Sequence, residues 1–160
     1  MDGLSETLHD AAAIVSSMSM RPVLVVDDDE DDSFILAKRI KSLFGDKTQV
    51  ITFKNGAQML SYLKEGAYDA ASQEKKPWLA LLDINMPKVD GIEVLRQLRG
   101  HEAMDNMVIF IVSGAQNMLD VGNACNYGAD GFLAKPLSTM EFLEILHEKV
   151  MEKAKAARPG

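Results

Sequence analysis

Three short runs in this chain are apolar at every position: Val-Leu-Val-Val at 23 to 26, Trp-Leu-Ala-Leu-Leu at 78 to 82 and Met-Val-Ile-Phe-Ile-Val at 107 to 112. A strand with one face in water alternates apolar and polar residues. A strand that is apolar throughout has protein on both faces, which is the condition of strands inside a parallel sheet sandwiched by helices. The pattern between the runs agrees. Phe34, Ile35, Ile40, Leu43 and Phe44 recur near helical spacing until Gly45, and Ile92, Leu95 and Leu98 mark a helix that ends at Gly100. Residues 49 to 53 read as a strand, 57 to 64 as a helix stopped by Gly66, 117 to 127 as a helix and 132 to 134 as a short last strand. Ser138, with Glu141 three residues on, forms a capping box for a helix running to about Lys153.

Five β-α units in strict alternation predict an α/β fold with a doubly wound parallel sheet, because strands that run the same way need crossovers that place helices on both faces. The 160 residues suffice for one domain with a substantial core. No internal repeat or low-complexity linker interrupts it. The longest connection, 66 to 77, reads as a surface loop. Residues 1 to 20 precede the first strand; Leu4, Leu8, Ala11 or Ala12, and Val15 could share one face of a short helix, but a loosely held extension is the simpler reading.

The formal net charge is −7, and residues 27 to 32 (Asp-Asp-Asp-Glu-Asp-Asp) carry six negative charges, which leaves −1 on everything else. The acidity is local. No basic patch suited to nucleic acid accompanies it, so DNA or RNA binding is disfavoured. No segment approaches the roughly 20 apolar residues of a membrane span. The acidic start of the chain does not resemble a signal peptide. The single cysteine, Cys125, reads as a small core residue and fits a reducing compartment. The expected location is the cytoplasm.

In an open α/β sheet, ligands bind beyond the carboxyl ends of the strands. The first strand is followed there by Asp27, Asp28 and Asp29, and the third by Asp83. The fourth ends at Ser113, and the fifth at Lys135 followed by Pro136. Acids, a hydroxyl and an ammonium thus converge on one rim. Asp27, Asp28 and Asp83 repel one another unless their pKa values rise or a cation holds them. Oxygen donors of this kind suit Mg²⁺, which keeps several waters and takes few protein carboxylates. With a cation and Lys135 nearby, Asp83 becomes an ionised nucleophile suited to attack on phosphorus, while Ser113 and Lys135 can meet phosphoryl oxygens.

Four segments, in order and at strand ends, resemble the receiver domains of two-component response regulators: Val-Leu-Val-Val-Asp-Asp-Asp (23 to 29), Leu-Leu-Asp-Ile-Asn-Met-Pro-Lys-Val-Asp-Gly (81 to 91), Ile-Val-Ser-Gly-Ala (111 to 115) and Gly-Phe-Leu-Ala-Lys-Pro-Leu (131 to 137). The resemblance covers about residues 20 to 150. It implies the flavodoxin-like strand order 2-1-3-4-5. It divides the chain into an N-terminal extension (1–20), a receiver domain (21–155) and a tail (156–160). It implies that Asp83 is the phosphoacceptor and that Asp28 is a direct Mg²⁺ ligand. Asp27 then contributes directly or through water, and the Asn85 backbone carbonyl completes the set. Ser113 falls at the Ser/Thr switch position, Phe132 at the switch aromatic and Lys135 at the active-site lysine. The long loop before Trp78 and the stretch Cys-Asn-Tyr-Gly-Ala-Asp (125 to 130) are similar to single-domain regulators of the phytochrome-associated kind.

The implied function is a single-domain response regulator and not an enzyme. It accepts a phosphoryl group from a histidine kinase or histidine phosphotransfer protein and signals through the face made by 117 to 127, the fifth strand and the last helix. The chain ends soon after that helix, so output is expected through a downstream protein target, a homodimer or phosphate relay. Two alternatives stand beside this reading. A degenerate receiver would act only as a binding scaffold. An aspartyl-phosphate phosphatase would need a second acid two residues beyond its nucleophile, where this chain has Asn85. Asp29, Glu30, Asp31 and Asp32 read as a solvated helix start. The acidic run is not an EF-hand, since Asp32 and Lys38 stand where glycine and glutamate are needed. His9, His101 and His147 lie away from strand ends and receive no role.

Overall fold

The computed structural model describes residues 21–67, 76–83, 91–100, 107–114, 128–135 and 137–157. Five parallel strands, β1 (Val23–Val26), β2 (Val50–Phe53), β3 (Leu79–Asp83), β4 (Val108–Ser113) and β5 (Gly131–Ala134), form one sheet in the order β2-β1-β3-β4-β5. Four α-helices are described: α1 (Glu30–Phe44), α2 (Gly56–Tyr62), α3 (Gly91–Arg99) and α4 (Thr139–Ala157). The predicted helix over 117 to 127, the body of the loop over 66 to 77 and the extension over 1 to 20 lie outside the described residues.

The period-2 geometry of strands divides the apolar runs between two cores. Leu24, Val26, Ala80, Leu82, Ile109 and Ile111 point to one face and pack with Met59 and Leu60 of α2 and Val94, Leu95 and Leu98 of α3. Val23, Val25, Leu79, Leu81, Val108, Phe110 and Val112 point to the other, under Leu36 and Ile40 of α1 and Phe142, Leu146 and Val150 of α4. Every residue of β1 and β3 is buried, as full apolarity requires. Phe110 meets Phe142 edge-on at 6.1 Å between ring centres, which ties α4 to the middle of the sheet.

Local chemistry sets the helix ends. Asp29 caps α1: its Oδ1 accepts from the N–H groups of Asp31 (2.9 Å) and Asp32 (3.1 Å), and the acids of the first turn suit the positive end of the helix dipole. Gly45, at φ +108°, closes the helix by donating to the Lys41 carbonyl at 2.8 Å. Asn55 caps α2 by accepting from the Gln58 N–H, and the Gln58 side chain accepts in return from the Lys54 N–H, both at 2.9 Å. Gly66 does not stop this helix as expected. The last turn widens into a π turn over Leu63–Ala67, which carries the chain past Gly66 while Leu63 stays fully buried. At α4, Ser138 Oγ accepts from the Glu141 N–H at 3.3 Å, and the helix runs to Ala157, one turn beyond the expected Lys153.

At the amino edge of the sheet, Arg99 spans three elements. It donates to the Gly128 carbonyl (2.9 Å), the Met107 carbonyl (3.0 Å) and Asp130 Oδ2 (2.6 Å). Asp130 also accepts from the Ile109 N–H at 2.8 Å and pairs with Lys153 of α4 at 3.3 Å. Gly128 has φ +105°, and a Cβ there would stand 2.7 Å from Arg99 Cγ. Gly128→Ala therefore combines backbone strain with a collision. It should lower the unfolding free energy by roughly 2–3 kcal/mol in urea titration. In an Arg99→Ala background the same change should cost only about 1 kcal/mol, because the colliding atoms are gone.

Candidate functional site

The sheet register assembles the rim. Val26 pairs with Leu82, so the next residues, Asp27 and Asp83, leave their strands side by side. Asp83 pairs with Val112, which sets Ser113 one step further out, and Ser113 pairs with Ala134, which sets Lys135 one step beyond that. Parallel strands that start level thus deliver one chemical group each to the same end of the sheet.

Lys135 Nζ stands 2.8 Å from Asp27 Oδ2, 3.1 Å from Asp32 Oδ2 and 3.3 Å from Asp83 Oδ2. Asp27 and Asp83 are buried, at 3% and 8% exposure, whereas Asp28 is exposed. Asp27 is also held from its own chain: its Oδ1 accepts from the Asp29 N–H at 2.9 Å, and its carbonyl accepts from Ser33 Oγ at 3.3 Å. Burial alone would push the Lys135 ammonium down. Its hydrogen bonds to Asp27 and Asp32 and the charges of Asp83 and Asp27 more than reverse this and hold it above the usual lysine range. The lysine therefore stays a cation, and the carboxylates around it have a fixed positive partner.

Carboxylate oxygens of Asp27, Asp28 and Asp83 lie within 4.8 Å of one another. Three acids at that spacing exceed what one ammonium can offset, and Asp32 draws on the same ammonium. An all-oxygen donor set with two buried members and one exposed member fits a hard divalent cation that keeps part of its water shell, as Mg²⁺ does. Asp27, Asp28 and Asp83 are the residues that would hold it. Its charge would offset the negative charge of a phosphoryl group at this rim.

The structure thus brings together Asp27, Asp28, Asp83 and Lys135. Ser113 ends β4 at the expected level, and its side chain lies outside what is described. Phe132 lies in β5, half-buried against the core that contains Ile109 and Ile111. Asn85 and Pro136 lie outside the described residues. Asp32 differs from expectation: in place of a freely solvated acid, it pairs with Lys135. The signal for it was its place in the first turn of α1, five residues after Asp27, where the start of the helix turns back over the rim. Composition alone hid that, because every neighbour in the run is also acidic.

Comparison with known proteins identifies the family and the fold. The sequence profile of the family described as response regulator receiver domain matches residues 23–147. The chain is 37% identical over 122 residues to the transcriptional regulatory protein PrrA of Mycobacterium tuberculosis, an alignment that covers 76% of this chain and 46% of that protein. It is 33% identical over 111 residues to the nitrate/nitrite response regulator protein NarL of Escherichia coli, covering 69% of this chain and 46% of that protein. The aligned region spans under half the length of these curated relatives. Among solved structures, the bacteriophytochrome response regulator RtBRR matches with a TM-score of 0.62 at 29% identity, over 81% of this chain and 76% of that one.

Because Lys135 and a divalent cation would draw on the same carboxylates, Lys135→Ala should have two opposite effects. Without Mg²⁺, the buried Asp27 and Asp83 lose their counter-charge, and stability should fall by about 1–3 kcal/mol in denaturant titration. Mg²⁺ should bind roughly several-fold more tightly by titration calorimetry, since no ammonium competes for the oxygens. Equal or weaker Mg²⁺ binding in the variant would show that the ammonium and the cation do not compete.

Proposed function

The chain belongs to the response regulator receiver domain family, and on that premise we propose that Asp83 accepts a phosphoryl group from the phosphohistidine of a histidine kinase or phosphotransfer protein. The observation that carries this reading is the placement of Asp83 Oδ2 3.3 Å from Lys135 Nζ, within a carboxylate cluster suited to Mg²⁺. In the transfer, a carboxylate oxygen of Asp83 forms a bond to phosphorus as the bond from phosphorus to the histidine nitrogen breaks. The electron pair stays with the imidazole, and the product is an acyl phosphate on Asp83. Lys135 supplies a fixed positive charge for the oxygens of the moving group, and Ser113 is assigned a hydrogen bond to one of them. Asp28, Asp27 and the backbone carbonyl of Asn85 are assigned to Mg²⁺.

Phosphorylation adds a doubly charged group at the ends of β3, β4 and β5. In this reading Ser113 is drawn toward it, and Phe132 repacks against the core that it half covers. The surface around β5 and α4 changes as a result and is read by a downstream protein or by a second copy of the chain. Membership of the family supports a signalling role with a histidine kinase or phosphotransfer protein as partner. The 29% likeness to a bacteriophytochrome response regulator supports a kinase of that kind as the donor, and we place the exchange in the cytoplasm.

Intact mass after incubation with Mg²⁺ and acetyl phosphate tests the chemistry. The wild-type chain should gain one phosphoryl group, and Asp83→Asn, or wild type in EDTA, should gain none. A chain that binds Mg²⁺ and beryllofluoride but never gains mass would hydrolyse the group faster than it is detected. A chain that binds neither would be a scaffold without phosphoryl chemistry.

A further inference from the structure

The segment that carries Lys135 is gripped at two points by α1. Asp32, in the first turn, holds the ammonium at 3.1 Å. Arg39, seven residues on and therefore on the same side of the helix two turns later, donates from Nη1 to the backbone carbonyl of Leu137. The grips fall on either side of position 136, one on the lysine side chain and the other on the backbone two residues beyond it. Asp32, Arg39, Lys135 and Leu137 also line a single groove beside the rim. Leu137 is buried with Leu36 and Ile40 of α1 in the same core, so the backbone grip is backed by packing.

This arrangement has a consequence for the lysine. Among the described residues β5 is an edge strand, with β4 on one side and no strand on the other, and Lys135 follows its last residue. The sheet therefore gives the lysine little support past Ala134. Two of its three carboxylate partners, Asp27 and Asp83, also belong to the cation-ligand set, whereas Asp32 does not. We propose that Arg39, together with Asp32, is a positioning residue for phosphoryl transfer: α1 holds Lys135 and Leu137 just past β5 and so keeps the Lys135 ammonium aimed at Asp83. This rests on the assignment of Asp83 as phosphoacceptor. Arg39 itself touches neither Asp83 nor the carboxylate cluster, and acts through the Leu137 carbonyl.

The test compares wild type, Arg39→Ala and Arg39→Lys by the rate of phosphorylation from acetyl phosphate, the Mg²⁺ affinity by calorimetry and the thermal unfolding midpoint, with rates measured well below that midpoint. Positioning predicts that Arg39→Ala phosphorylates roughly tenfold more slowly at unchanged Mg²⁺ affinity. Arg39→Lys, which keeps a donor for the carbonyl, should recover most of the rate. A role confined to folding would lower the midpoint and leave the rate of the folded chain unchanged. Wild-type rate in Arg39→Ala, or a loss of rate matched by a loss of Mg²⁺ affinity, overturns the proposal. If Arg39→Ala does not fold, Asp32→Asn, which changes a half-exposed side chain, carries the same reading at saturating Mg²⁺: slower transfer upholds it, and wild-type rate overturns it. Failure of wild type to accept a phosphoryl group would instead remove the assignment of Asp83, and is seen before any variant is compared.

Discussion

The carboxyl edge of the sheet depends on one ammonium. Lys135 contacts carboxylates from three separate elements, β3, α1 and the end of β1, and two of those carboxylates are almost shut off from water. Carboxylates buried side by side without a cation would have to take up protons or separate, because desolvation and mutual repulsion act in the same direction. With the lysine among them they remain together. The ammonium is therefore part of the fold: it closes the end of β5 onto β1 and β3, strands to which β5 makes no ladder. Among the described residues these contacts leave the edge with more negative charge than positive, which is the condition for taking up a divalent cation.

The amino edge is built on the opposite balance. Arg99 satisfies two backbone carbonyls and one carboxylate, and that carboxylate is in turn satisfied by Arg99, Lys153 and a backbone N–H. Planar guanidinium geometry suits this kind of multiple fixed contact. Among the described residues the Asp130 carboxylate is matched by two cations, so this network, unlike the carboxyl edge, has no excess of negative charge to draw in a divalent ion.

How far the sequence was legible follows from which forces were local. The burial of β1 and β3 was readable, because a strand apolar at every position has few other places to go. The cap at Ser138 could be read from a single residue and its spacing, whereas Asp29 stood out only as one acid of a solvated helix start. The rim itself could be anticipated, since each strand end carried a chemical group and parallel strands present their ends together. The role of Asp32 could not. Its partner lies 103 positions away, and in a run of six acids no side chain is marked by type as the one that turns inward. The grip of Arg39 on a backbone carbonyl was hidden for a similar reason: a carbonyl carries no sequence signature. The end of α2 was missed because glycine is a reliable stop only for an α turn, and a π turn passes through it.

β5 connects the two edges, and this suggests where a phosphoryl group would be felt. The strand is four residues long, with Asp130 just before it and Lys135 just after it. Asp130 is fixed at the amino edge by Arg99 and Lys153. Lys135 is fixed by carboxylates whose charge balance a new anion on Asp83 would alter, since its ammonium would then have phosphoryl oxygens to pair with as well as Asp27 and Asp32. A strand anchored at one end and loaded at the other responds mainly at the loaded end. Phe132 lies between them and is only half buried, so it can change its packing at lower cost than a fully enclosed core residue such as Leu133. The amino-edge clasp would then confine the response to β5 beyond Gly131 and to Lys135 and Leu137, which α1 holds. A local charge event at Asp83 would thus reach the surface without loosening the sheet.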